Sequence, residues 1–249
     1  MQLLYEILET LPDGEVLDVR IGPHWTAVVA EVSGVRRCGL AATVYGGHNH
    51  SNEPDIGQAG QLEMLSGLEL AEFALSLRPL HTGLGIAAIN ALLPRTPAYW
   101  NEEHAVETLV RQGAGKRVAM VGHFAFADQL RPQVGELLIL EQNPGPGDLP
   151  ASAALDVLPQ AEVVAITGMA LVNHTLEDLL SLCSPQAFVM VLGPSTPLSP
   201  VLFNYGATVL SGAVVTSIDP VLRILSQGGN FHQLRRAGVR LVNLARTIE

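Results

Sequence analysis

RVAMVGHFAFADQLRPQVGELLILE, residues 117–141, holds two short apolar runs joined by a glycine-led turn and a more polar stretch. The first run, residues 117–121, has the length and unbroken apolar character of a strand buried on both faces. Gly122 permits a tight turn straight after it. The second run, residues 137–141, ends on Glu141, 19 residues beyond Gly122. Rossmann domains place an acid near that spacing to hold ribose hydroxyls.

The same rhythm extends outward. A helical stretch at 102–111 precedes the first run, and strand-like runs follow at 163–166, 188–192, 208–215 and 239–244. Helical stretches at 152–158, 175–183 and 220–226 lie between most of them. Short apolar strands alternating with helices predict a mostly parallel sheet covered on both faces. The right-handed crossover rule makes it doubly wound. Residues 101–249 are therefore expected to form a Rossmann-like α/β domain, with ligands held at the carboxyl ends of its strands.

Residues 1–100 read differently. A helix at 2–10 precedes a Pro12-Asp13-Gly14 turn, then strand-like runs at 16–21, 25–32 and 36–44, the first two separated by Gly22-Pro23. A polar loop at 48–60 follows, then helices at 62–77 and 82–93. This is a small α+β unit, a meander covered by helices, joined to the second domain through a connector at 95–100.

Composition narrows the function classes. The 249 residues are 48% hydrophobic and 15% charged, ample for a packed core. No apolar run approaches the roughly 18 residues of a membrane span, and the N-terminus lacks a basic region typical of a signal peptide. The net charge is −10, with acids in excess in both parts, which argues against nucleic acid as a partner. Cys38 and Cys183 stand far apart and offer neither a disulfide framework nor a CxxC metal pair, so a cytoplasmic location is expected. A homodimer is the expectation from base rates.

Candidate ligand groups are sought after each strand. Gly122 and His123 follow the first, where helix N-terminal amides can meet an anion, although GxGxxG is absent. Glu141 closes the second and leads into NPGPGDLP, residues 143–150, in which Asp148 is placed to cap a helix. The third ends in TGMALVNHT, residues 167–175; Thr167 and Asn173 face a ligand, or Asn173 caps the next helix. The fourth leads into GPSTPLSP, residues 193–200, a proline-stiffened loop whose Ser195, Thr196 and Ser199 supply hydroxyls for a polar ligand edge. His48 and His50 alternate in the polar loop, near Glu53 and Asp55, and form the candidate metal pair, though no third clustered ligand accompanies them. No GxSxG elbow and no Walker A lysine motif occur.

Three long stretches carry a family resemblance: VAMVGHFAF (118–126), residues 143–180 from NPGPGDLP to TLEDLL, and GPSTPLSPVLFNYGATVLSG (193–212). Together with LGIAAINALL (84–93) they resemble the family described as "putative heavy-metal chelation", of unknown function. The resemblance implies an enolase-N-terminal-like domain followed by a Rossmann-like one, with a cleft between them. It places Asn90 on the first domain and His123, Glu141, Thr167, Asn173, Ser195 and Thr196 on the second around a small molecule or metal chelate. Enolase chemistry does not transfer with the fold. The alternative is an enzyme using an adenosine-containing cofactor, S-adenosylmethionine or a nucleotide, with Glu141 on the ribose. Cofactor identity and catalysis stay open between them, and a scaffold with a vestigial cleft is the third reading.

Overall fold

The protein was analysed as a computed structural model, which describes residues 1–46 and 54–246. His48, His50 and Glu53 lie outside the described residues. The first part contains α1 (Gln2–Glu9), β1 (Glu15–Ile21), β2 (Trp25–Val32), β3 (Val35–Ala42), α2 (Gly67–Ala71) and α3 (Pro79–Leu92). There follow β4 (Trp100–Asn101), α4 (Ala105–Gly113), β5 (Arg117–Val121), α5 (Ala127–Leu130), β6 (Glu136–Glu141), β7 (Leu149–Pro150), α6 (Ala154–Val157) and β8 (Val163–Thr167). The chain ends with α7 (Met169–Val172), α8 (Leu176–Leu182), β9 (Phe188–Leu192), α9 (Val201–Asn204), β10 (Val209–Val215), α10 (Ile218–Ser226), α11 (Phe231–Gly238) and β11 (Val239–Ala245).

The α/β expectation holds. Eight strands form one sheet in the order β4-β11-β10-β9-β8-β5-β6-β7. The six from β10 to β7 are parallel, while β11 and β4 add an antiparallel edge. The connector expected at 95–100 thus ends in an edge strand, because Trp100 and Asn101 pair with Leu244 and Asn243. The three strands of the first part form a separate antiparallel meander, β1-β2-β3.

That meander is buried on both faces. Along β2, Thr26 to Ala30 are all buried, without the alternation of a half-exposed strand. One face packs on α3; the other, through Ala27, Val29, Cys38 and Leu40, meets Val221, Leu222 and Leu225 of α10. The core around α3 is continuous with Ala119, Val164 and Leu210 of the large sheet. The two sheets therefore share apolar interior.

The glycines and alanines of α3 explain how it fits. It is buried around nearly its whole circumference. Gly39 of β3 lies so close that an added Cβ would sit 2.1 Å from the Ala87 carbonyl oxygen and 2.3 Å from the Ala91 nitrogen. Gly85 meets the Ala74 backbone nitrogen at 1.9 Å by the same construction. The helix expected at 62–77 is broken instead into a 3-10 turn, α2 and a second 3-10 turn. Ser66 starts α2 with a capping box, its hydroxyl accepting from the Glu69 N–H while Glu69 accepts from the Ser66 N–H. No helix of the described residues is long and apolar enough to cross a membrane.

Gly39→Ala is predicted to destabilise the protein by about 3 kcal/mol or more, because backbone atoms rather than flexible side chains fill the space. Gly57→Ala, where nothing lies within 4 Å, should change stability by no more than about 0.5 kcal/mol. Urea unfolding of the two variants checks the contrast.

Candidate functional site

The strand order reverses between β5 and β8. From β5 the chain runs outward through β6 and β7, then returns to build β8, β9 and β10 on the other side. Loops leaving neighbouring strands in opposite directions open a crevice at their carboxyl ends. A cavity of about 540 Å³ lies there.

Gly122 sets the first wall. Its φ is +96°, its N–H donates to the Leu140 carbonyl at 2.9 Å, and a Cβ would stand 3.0 Å from the Thr167 side chain. The turn delivers the His123 N–H to Glu141 Oε1 at 2.6 Å, and the Gln142 N–H donates to Glu141 Oε2 at 3.1 Å. Glu141 therefore fastens the β5 loop to the end of β6 while lining the cavity.

The His123 ring is oriented by Asp148, whose Oδ2 lies 3.1 Å from Nδ1 and also accepts the Gly145 N–H. The His123 hydrogen bond, followed by the Gly145 amide, holds the Asp148 carboxyl below the usual aspartate range. An ionised carboxylate only accepts, so Nδ1 carries the hydrogen and the neutral ring offers Nε2 as base or ligand. Asp148 thus braces a loop and a histidine instead of capping a helix. The following helical segment starts at Pro150 without a side-chain cap.

The opposite wall comes from Thr167 at the end of β8 and Asn173 beyond it, with Thr175 and Asp178 beside them. Asn173 does not cap the start of α8, where Thr175 holds the position before the helix; it closes the end of α7 instead, its N–H donating to the Met169 carbonyl at 3.0 Å. Glu177, in the first turn of α8, accepts from the N-terminal ammonium at 2.6 Å and the Leu3 N–H at 3.2 Å. Leu179 and Leu182 of α8 and Ala151 and Ala154 give the cavity an apolar side.

Five of the sequence candidates, Gly122, His123, Glu141, Thr167 and Asn173, are thereby brought together around one cavity. Asn90, Ser195 and Thr196 are not. Asn90 Nδ2 donates to the Leu40 carbonyl at 2.9 Å and reaches the Ser195 carbonyl at 3.5 Å. Ser195 Oγ accepts the Ala42 N–H at 2.9 Å. Ser195, Thr196 and Ser199 are 2%, 1% and 0% exposed. The hydroxyl-rich loop is a buried strap between the sheets. Asn90 and Thr196 border only a void of about 20 Å³, room for little more than a water molecule. All walls of the 540 Å³ cavity come from residues 121–182, so residues 1–100 contribute none of it.

Asp178 and Thr175 were missed in the sequence. Asp178 sits one residue before Leu179 and four before Leu182, so the three share a face of α8, which was the available signal. Among the described residues no three His, Cys, Asp or Glu side chains cluster as a metal site. Burial pushes the Cys38 thiol up to about 12 and the Cys183 thiol up to about 11, so neither supplies a thiolate near neutrality.

Family models match residues 5–93 (DUF4213) and 104–243 (DUF364), both described as "Putative heavy-metal chelation". The chain belongs to the DUF364 family. A solved DUF364 protein of unknown function from Desulfitobacterium hafniense has a TM-score of 0.81 and 26% identity, with 98% of each chain covered. A second from Pyrococcus horikoshii has a TM-score of 0.80 at 22% identity, again with 98% of each covered. An uncharacterised protein of Methanocaldococcus jannaschii is 25% identical over 224 residues, covering 86% of this chain and 83% of that protein. The mixed α/β architecture is therefore that of the DUF364 structures.

A carboxyl with a lowered folded pKa adds stability that is complete above its unfolded value and lost as pH falls through the folded one. Asp148→Asn should therefore lower the melting temperature at pH 6. The gap from the native protein should close as pH drops below about 4, the ordinary aspartate value. Thermal melts of both proteins from pH 7 to pH 3 check this.

Proposed function

We propose that this protein binds a small organic molecule that complexes a heavy-metal ion, and that it does so in the cytoplasm, in the cavity between β5, β6 and β8. The observation that carries this reading is the sign of the cavity's charge. Glu141 and Asp178 line it, Asp148 stands behind His123, and among the described residues no lysine or arginine lines it. Carboxylates in a concave low-dielectric site concentrate cations and repel phosphates and carboxylate-rich ligands. A chelate with a cationic metal centre matches that field. The protonated thiols, and the lack of a three-ligand cluster among the described residues, favour a metal that arrives already complexed over a bare ion held by the chain. His123, oriented through Nδ1, has Nε2 to offer to an open coordination position on such a cargo.

One feature favours a second reading. Glu141 ends the second strand of the Rossmann-type order, where an acid receives ribose hydroxyls. The same acidic field admits the sulfonium of S-adenosylmethionine and disfavours a nucleotide's phosphates.

Equilibrium dialysis separates the readings with three probes: nickel(II) alone, the one-to-one nickel(II)–histidine complex, which is cationic and keeps open coordination positions, and S-adenosylhomocysteine. The chelate is expected to be retained at one equivalent and to raise the melting temperature, while nickel alone is not retained. Glu141→Gln and His123→Ala should each weaken retention about tenfold, equivalent to about 1.4 kcal/mol. Failure to retain the chelate overturns the proposal. Glu141-dependent retention of S-adenosylhomocysteine alone would replace it with the adenosine reading.

A further inference from the structure

A second and larger cavity, about 940 Å³, opens on the far side of the β5 loop, between α4, α11 and the ends of β9 and β11. Its charge is opposite to that of the first. The helix α11 presents Phe231, His232, Arg235 and Arg236 to it, at positions i, i+1, i+4 and i+5 on one helical face. Arg240 of β11 joins them.

The two carboxylates on its rim are already neutralised. Glu102 is paired with Arg240. Glu103 accepts from the Arg111 guanidinium and from the Thr108 hydroxyl, and Arg111 foremost, then Thr108, holds its carboxyl down to about 2. Arg235 and Arg236 make no hydrogen bond or ion pair with any described residue. In a chain of net charge −10, this concave site carries two adjacent guanidinium groups without counter-ions among the described residues. His104 adds a donor: Nδ1 accepts the Val106 N–H, which leaves the hydrogen of the neutral ring on Nε2.

Aromatic surface lies beside these cations. Phe124 and Phe126 stack with centroids 5.3 Å apart and planes 18° from parallel, and both line the cavity and are only half-buried. Phe231 supplies a third ring, packed on Trp25 at 5.1 Å. Ring faces receive a flat ligand, and guanidinium forks receive its anionic oxygens in pairs.

We propose that this cavity is a second binding site, for a planar aromatic molecule bearing a phosphate or carboxylate group, held by Arg235 and Arg236 with its ring against Phe124 and Phe126. The site shares no polar residue with the acidic cavity and stands independently of the function proposed for that one.

Isothermal titration of the full-length protein with phenyl phosphate, benzoate and inorganic phosphate tests it. Saturable one-to-one binding is expected for phenyl phosphate or benzoate, with the tighter of the two identifying the anion. Inorganic phosphate should bind at least about tenfold more weakly, because it makes no ring contact. The double variant Arg235→Ala/Arg236→Ala, both side chains exposed, should keep its melting temperature and lose about tenfold or more in affinity. Arg223→Ala, a cation elsewhere on the surface, should not change affinity. Phe126→Leu should remove the preference for the aromatic anions over inorganic phosphate. The proposal is overturned if neither aromatic anion binds at millimolar concentration, if the double variant binds them as well as the native protein, or if inorganic phosphate binds equally well.

Discussion

The close approach of α3 to β3 governs how the two parts of the chain meet. Gly39 removes a side chain where the strand would strike the helix backbone, and Gly85 does the same where α3 meets the Ala74 segment. A helix and strand of ordinary residues would stand farther apart, because each Cβ would strike backbone. Small residues let α3 act as a thin apolar slab with protein on every side. Once it is seated, Asn90 can reach both the Leu40 carbonyl of β3 and the Ser195 carbonyl after β9. The buried strap at 193–200 then completes the hydrogen bonding of the small-sheet edge, its Ser195 hydroxyl accepting the Ala42 N–H, while Asn90 serves the strap's own carbonyl. Every such group would carry a desolvation cost if the sheets separated.

This closure explains why the cavities lie within the α/β part and at its flanks. Burying a three-stranded meander on both faces consumes the surface that a cleft between the sheets would need. The crevice at the strand reversal is different in kind. It follows from topology, because loops that leave β5 and β8 in opposite directions cannot fill the space between them. Its position is thus independent of how the first hundred residues pack.

The same distinction separates what the sequence made legible from what it did not. Strand and helix alternation predicted the parallel sheet, and the sheet rule placed Gly122, His123, Glu141, Thr167 and Asn173 at strand ends that meet. Those inferences needed only local periodicity and one topological rule. The roles of Ser195, Thr196 and Asp148 needed a partner distant in the chain. A hydroxyl-rich loop reads identically whether its hydroxyls meet a ligand or, as Ser195 does, a backbone N–H 153 residues away. Asp148 had a local explanation as a helix cap, yet its carboxylate serves Gly145 and His123 across the loop. The arginine-lined cavity is not legible in the sequence, where Arg235 and Arg236 are only an adjacent basic pair. Their meaning depends on Phe124 and Phe126, more than a hundred residues earlier, lying on the same wall.

Phe124 borders both cavities, so residues 122–126 form the partition between an acidic site and a basic one. A partition between fields of opposite sign must be rigid, because each field pulls the opposite charge toward it. The chain meets this need from both sides. Glu141 grips the His123 N–H and Asp148 grips the ring. Beyond them the stacked Phe124 and Phe126 rings line the basic cavity. The carboxylates that could have neutralised Arg235 and Arg236 are instead committed on their own side of the loop or to Arg111 and Arg240. Displacing residues 122–126 would therefore alter both sites together, and coupling between their ligands would pass through this single short segment.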